Sequence, residues 1–218
     1  MERFLSFFTD ILIEALGQTI YMVGISTILA TLIGFILAIV LVVTDDSGLK
    51  PNKIINSILG FIVNTLRSFP FIILVVAIIP LTRAIVGKSI GETAALVPLT
   101  IGAAPFIARV IEGALKEVDK GLIEAAKSFG ASNFQIIFKV MVKEAMPSII
   151  SGITLSIISI IGYSAMAGAV GAGGVGAVAL TYGYQRFDNA VMAYTVITLI
   201  IIVQLLQGAG NLAYRKLK

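Results

Sequence analysis

The chain has 218 residues, 58% of them apolar, and a mean hydropathy of +1.02, too apolar for a soluble domain of this length. It contains no cysteine and no histidine, which removes disulfides, thiolate nucleophiles, most zinc sites and the commonest general base, and so argues against catalysis within the chain. The formal charge of +4 fits the Lys and Arg that a membrane protein gathers on its cytoplasmic side, and it needs no nucleic acid to explain it.

Residues 1–17 place Phe4, Phe8, Ile11, Leu12 and Ala15 on one helical face, with Glu2, Asp10 and Glu14 elsewhere. That pattern predicts an amphipathic extracytoplasmic segment at the membrane surface. Charges interrupt its apolar run and no small-residue cleavage site follows, so it is expected to be retained rather than removed as a signal peptide. Residues 18–43 carry no charge and exceed the roughly 20 residues a span requires. Gly24 and Gly34 within them suit close helix packing. Residues 45–53, with Ser47, Gly48 and Pro51, form a turn.

The apolar run 54–80 is interrupted by Arg67-Ser68-Phe69-Pro70. We expect one long helix whose Arg67 snorkels to the cytoplasmic headgroups; the alternative is an interfacial stretch followed by a separate span. Gly87-Lys88-Ser89 is no P-loop, because Thr82 stands where the motif needs a glycine and no strand precedes it. A third span over about 93–111 contains Pro98 and Pro105, which mark bends or flex points.

From Arg109 to Pro147 runs the chain's one long polar interval. Leu122, Ala126 and Phe129 lie at i, i+4 and i+7, and Gly130 suits the left-handed residue that ends a helix. Ser132 stands three residues before Gln135, the capping-box spacing, and Phe134, Ile137, Phe138, Met141, Val142 and Ala145 continue as one stripe. These features predict a helix, a break, and a second amphipathic helix closed by Pro147. A fourth span ends near Val170, and Gly171–Gly176 matches a dinucleotide fingerprint on paper only, since no βαβ unit surrounds it; a flexible connection is expected. Tyr182 to Phe187 form an aromatic, interface-like group, and a fifth span covers about 189–212.

The predicted fold is therefore an all-α integral membrane protein of five transmembrane helices over 18–218, with a cytoplasmic helical loop over 112–146. Placing that loop inside puts twelve of the sixteen Lys and Arg residues there and leaves Arg3, Arg83, Lys88 and Arg186 outside. The positive-inside rule then sets the N-terminus outside and the C-terminus in the cytoplasm. Five helices are few to enclose a passage, so a route along a two-fold axis between two copies is expected. Ser156, Ser159, Tyr163 and Met166 share one stripe of the fourth span: packing accounts for it simply, while a pathway reading has Ser159 and Tyr163 line the route and Met166 close it. An ion-coupled secondary carrier would place carboxylates inside its spans, and an intramembrane enzyme would pair Ser156, Ser159 or Ser164 with a base; the sequence provides neither.

Glu124-Ala125-Ala126, three residues, Gly130-Ala131 and the later Pro147 resemble the EAA loop of ABC-importer permeases. Lys143 departs from that pattern, which usually has a proline there. Arg67-Ser68-Phe69-Pro70-Phe71 is similar to a signature of amino-acid importer permeases. Residues 163–171 and 182–187 resemble the methionine-uptake branch. The resemblance implies that Glu124, Ala125, Ala126, Gly130 and Ala131 couple to a separate ATPase, present in two copies. It further implies a second copy of this chain, an extracytoplasmic substrate-binding protein, contact with membrane lipid in a bacterial inner membrane, and no nucleic acid. ATP and Mg would be held by the partner, with no cofactor in this chain. The implied substrate is methionine, L or D, with another amino acid or a methionine-containing peptide as alternatives.

Overall fold

The computed structural model describes residues 11–217, which form helices and turns with no strand among them. Helix α1 is Ile13–Thr44, α2 Lys53–Ser68, α3 Phe71–Ala77, α4 Ile79–Val86 and α5 Glu92–Lys116. Then follow α6, Lys120–Ser128, α7, Asn133–Gly168, α8, Gly174–Val178 with a π-helical turn Ala179–Tyr184, and α9, Asn189–Leu217. Helices α1, α5, α7 and α9 are each long and apolar enough to cross a membrane, and the bent pair α2–α3 makes a fifth crossing if taken as one span.

The core forms where α1 lies against α5. Ala30, Ala38, Leu41, Ala103, Ala104, Ile107 and Ala108 are buried there. In lipid no hydrophobic force drives helices together, so small residues that let backbones approach carry the association. Gly34 marks the closest approach: a Cβ there would lie 2.9 Å from the Ala104 carbonyl oxygen and 3.0 Å from the Ala108 nitrogen.

Three sequence expectations are corrected. The long second helix breaks after Ser68, where α2 and α3 meet at 103°. Pro70 is the cause: its ring disfavours a helical residue before it, and Phe69 is extended at φ −74°, ψ 126°. The amphipathic helix after Ser132 is not closed by Pro147, which sits inside the continuous α7. A proline removes one backbone bond and bends a helix, yet an apolar span beginning at once keeps the rest of the ladder formed. Gly171–Gly176 is no loose connection, because the Gly174 N–H donates to Gln18 Oε1 at 2.7 Å and the Val175 N–H to Thr19 Oγ1 at 3.0 Å.

At the other end, residues 1–10 of the expected surface segment lie outside the described residues. Its remainder runs into α1 with no break at Gly17, and Leu12 and Ala15 pack against Val175, Val178 and Val191. Helix α2 is amphipathic in an inverted sense. Its Asn56 amide donates to the Leu41 carbonyl at 2.8 Å and to Thr44 Oγ1 at 3.2 Å, while Ile54, Ile58 and Phe61 point outward. Lipid is the solvent that makes such an orientation favourable.

Candidate functional site

The polar interval opens inside a helix, since α5 continues to Lys116 and takes Arg109 and Glu112 with it. Glu112 is only 5% exposed and receives two cations, Arg109 Nη1 at 2.7 Å and Lys116 Nζ at 2.9 Å. Arg109 also donates to the Gly60 carbonyl and to Asn64 Oδ1 on α2, and Lys116 pairs with Asp45 at 2.7 Å. The cluster ties α2, α5 and the α1–α2 turn together at one end of the bundle. A buried carboxylate persists only with such partners. Only its i, i+3 and i, i+4 spacings were visible in the sequence, because Asp45, Gly60 and Asn64 are distant in the chain.

Beyond Lys116 the chain turns at Asp119, whose Oδ1 accepts from the Gly121 N–H at 2.6 Å and opens α6. Phe129 closes that helix, Gly130 follows at φ +77°, and the Ala131 N–H donates to the Ala126 carbonyl at 3.0 Å. A β-carbon is disfavoured at that φ, which is why glycine stands at the reversal. The Ser132–Gln135 capping box has both bonds formed, at 2.8 and 3.3 Å. Ser132 thereby starts α7, whose first turns widen into a π-helical stretch, Ile136–Met141.

Of the residues named for coupling, Glu124, Ala125 and Gly130 are exposed, whereas Ala126 and Ala131 pack partly against the core. Leu122, Phe129 and Phe134 had the spacing of a buried face. All three are exposed, Phe129 at 92%. The helical reversal therefore presents an apolar knob with mixed charges that nothing among the described residues covers. Large exposed aromatics clustered at one tip mark an interaction surface.

The second group of expected residues divides. Ser156 is fully buried with its hydroxyl donating to the Gly152 carbonyl, so the stripe it shares with Ser159, Tyr163 and Met166 is not one exposed face. Ser159 and Tyr163 are half-buried and Met166 is 49% exposed. The open edge of α7 instead runs through Leu155, Ser159, Gly162 and Met166, spaced i, i+4, i+7 and i+11. Tyr163 turns sideways from that edge and stacks on Phe71 of α3, centroids 4.6 Å apart and planes at 10°. Beside this pair is a cavity of about 120 Å³ lined also by Arg67, Gly102 and Phe106.

Residues 30–216 match the family described as binding-protein-dependent transport system inner membrane component. The chain belongs to that family. Among its relatives is the probable D-methionine transport system permease protein MetI of Vibrio cholerae serotype O1, 49% identical over 95% of this chain and 92% of that protein. The methionine import system permease protein MetP of Bacillus subtilis is 46% identical over 79% of this chain and 78% of its own length. A solved structure of the inward-facing MetNI methionine ABC transporter superposes with a TM-score of 0.94 at 44% identity, covering 95% of this chain and 96% of that one. An amino acid ABC transporter solved with histidines aligns with a TM-score of 0.77 at 18% identity and shares the fold. As an inner membrane component of a binding-protein-dependent system, this permease is a transport subunit.

Proposed function

We propose that this chain is the transmembrane permease of an ATP-driven importer for methionine, assembled as two copies with two copies of a separate ATPase and served by an extracytoplasmic binding protein. The exposed knob of Leu122, Glu124, Phe129 and Phe134 carries the reading. Burying those side chains in a partner's cleft would make the reversal at Gly130 a lever on α7. The relatives' names, methionine permeases at 46–49% identity, support the substrate. In this reading Glu124, Ala125, Ala126, Gly130 and Ala131 form the seat for the ATPase. Ser159 and Tyr163 border the route between the two copies, with Met166 closing it. The N-terminus faces outward and the C-terminus the cytoplasm. ATP and Mg belong to the partner, and ATP drives transport by binding one arrangement of the assembly more tightly than the other.

The test is uptake of radiolabelled methionine into proteoliposomes holding the chain with its co-purified ATPase. Uptake that needs internal ATP and the external binding protein is the expected result. Uptake driven by a proton or sodium gradient without the ATPase would overturn it in favour of a secondary carrier.

A further inference from the structure

The end of the bundle that carries the Glu112 cluster also holds a cavity of about 220 Å³, many times the roughly 10–15 Å³ that one ordered water needs. The α1–α2 turn forms one wall, the end of α5 and the start of α7 contribute to the others, and α6 adds Lys120, Ile123 and Lys127. Three cations line it, Lys116, Lys120 and Lys127, against one carboxylate, Asp45. That carboxylate is already engaged by Lys116 at 2.7 Å, and Lys116 is further held by Glu112 at 2.9 Å. Lys120 and Lys127 have no carboxylate partner among the described residues. The cavity thus carries two uncompensated ammonium groups.

Its level relative to lipid follows from the helices that meet there. Residues 18–43 of α1 carry no charge, and the first charges after them are Asp45 and Asp46, in the turn that forms the wall. Helix α2 leaves that same turn with Ile54, Ile58 and Phe61 exposed, while Asn56 points inward to Leu41 and Thr44. Apolar side chains turned outward from the start of α2 put the hydrocarbon boundary at this turn and the cavity among the headgroups. The seven-residue spacing sets Lys120 and Lys127 on one stripe of α6. Leu122 and Phe129 form another stripe two residues on, roughly 200° round the helix. The cavity and the exposed knob are therefore on opposite sides of α6. Phosphate is the anion that a headgroup layer offers, and ammonium groups bind it as point charges. A headgroup with its own ammonium would bring a cation to a wall whose one carboxylate is already paired, so a net anionic headgroup fits and a zwitterionic one does not.

We propose that this cavity binds the phosphate of an anionic phospholipid, such as a phosphatidylglycerol, between Lys120 and Lys127 of α6 and the α1–α2 turn. Basic pockets between membrane helices, on the side that gathers Lys and Arg, are suited to such headgroups. The bound phosphate links the helical reversal to the turn without using the reversal's exposed knob. The site needs neither a substrate nor an ATPase, so it goes beyond the importer reading and does not depend on it.

The test places the full chain with its co-purified ATPase in phosphatidylcholine nanodiscs that hold a minor share of phosphatidylglycerol carrying a photoreactive diazirine in its headgroup. After irradiation the label should map to residues 45–49 and 120–127, and plain phosphatidylglycerol should compete where added phosphatidylcholine does not. Lys120→Gln with Lys127→Gln should cut labelling there by roughly fivefold to thirtyfold, the effect of two cations near a membrane surface, and leave it unchanged elsewhere. Lys120→Arg with Lys127→Arg, which keeps both charges, should label as the wild type does. Lys139→Gln with Lys216→Gln removes the same charge elsewhere and should leave the two segments labelled. Should the Lys120→Gln, Lys127→Gln chain not assemble, competition between the two lipids on the wild-type chain decides. Equal labelling by a phosphatidylcholine probe, or wild-type labelling of the Gln pair, overturns the site. Displacement by millimolar inorganic phosphate would assign the cavity to a soluble anion. Labelling of the chain alone that disappears on adding the ATPase would assign it to an acidic group of that partner, and either result overturns the lipid.

Discussion

Gln18 on α1 and Gly174 at the start of α8 are joined by a hydrogen bond of 2.7 Å, with Thr19 and Val175 joined beside them at 3.0 Å. Two backbone N–H groups that open α8 are thus satisfied by side chains of the first span. Gly174 lies at φ +81°, and a β-carbon there would come 2.7 Å from Thr19 Oγ1. Thr19→Val keeps the shape but leaves a buried N–H unpaired, which costs about 1–3 kcal/mol. We expect Thr19→Val to lower the unfolding midpoint of the purified protein in detergent and to loosen the 171–176 turn to proteolysis. An unchanged midpoint would show that the turn is held by packing alone.

The α1–α5 seam gives a sharper contrast between glycines. At Gly34 an added Cβ would meet two backbone atoms of α5 at 2.9 and 3.0 Å besides Ile107 Cγ2 at 2.9 Å, and backbone cannot step aside. At Gly24 nothing lies within 4 Å. Gly34→Val should therefore force the helices apart at a cost of about 1–3 kcal/mol or more, whereas Gly24→Ala should leave stability within about 0.5 kcal/mol of wild type. Thermal unfolding of the two variants in one detergent measures the difference. Equal losses would place the tight seam elsewhere.

Apolar run length and the capping-box spacing made the spans and the start of α7 readable from the sequence, because those signals are local. Pro70 was visible too, yet its effect depended on whether α3 had a surface to fold onto, and Phe71 finds one at Gly102 and Tyr163 far along the chain. The Glu112 cluster was illegible for the same reason. Its partners Lys116 and Arg109 are local, but what makes it a junction is Asp45, Gly60 and Asn64. Leu122 and Phe129 illustrate a different limit: a helical stripe shows that a face will be covered, not whether this chain or another covers it. Ser156 and Met166 belong to one stripe in the sequence, and only packing separates the buried serine from the exposed thioether.

Asp45 and Lys116 supply a pH test. The Lys116 ammonium, followed by the Ser47 N–H, pushes the Asp45 carboxyl down to about 2 from its ordinary 3.8. A depressed carboxyl stabilises the folded state fully above the unfolded value and loses that contribution as pH falls through the folded one. The tether is therefore intact near neutrality and fades between about pH 4 and 2. Both groups are partly exposed, so its worth is about 1 kcal/mol or less. The gap in unfolding midpoint between wild type and Asp45→Asn should be present at pH 7 and shrink below pH 4. A gap that persists unchanged to pH 2 would mean that Asp45 acts through its turn rather than its charge.

Gly130 and Phe129 separate shape from contact in the reversal. Gly130→Val puts a branched side chain at φ +77° and should distort the turn, while Phe129→Ala removes a side chain that touches little within this chain and should leave the fold untouched. Both should reduce co-purification of the ATPase, and Phe129→Ala should do so with a stability within about 0.5 kcal/mol of wild type, as for an exposed site. Lys143→Pro should be tolerated, because α7 already continues through Pro147. Full ATPase recovery with Phe129→Ala would remove the knob from the docking surface.

The open edge of α7 makes the last prediction. Leu155, Ser159, Gly162 and Met166 face away from this copy's core, and an added Cβ at Gly162 would meet nothing within 4 Å. A two-fold axis pairs each residue near it with itself. Two Met166 thioethers, unbranched and able to fill irregular gaps, would then close the space between copies. With no native cysteine to interfere, Met166→Cys and Gly162→Cys should each cross-link between copies under mild oxidation in nucleotide-free membranes. Trapping with ATP should suppress the Met166→Cys link if the route opens there. Ser156→Cys is the control: its side chain is fully buried within one copy and should not link in either state. Cross-linking at Leu155→Cys alone, with none at Met166→Cys under any nucleotide condition, would put the axis along this edge and the closure elsewhere.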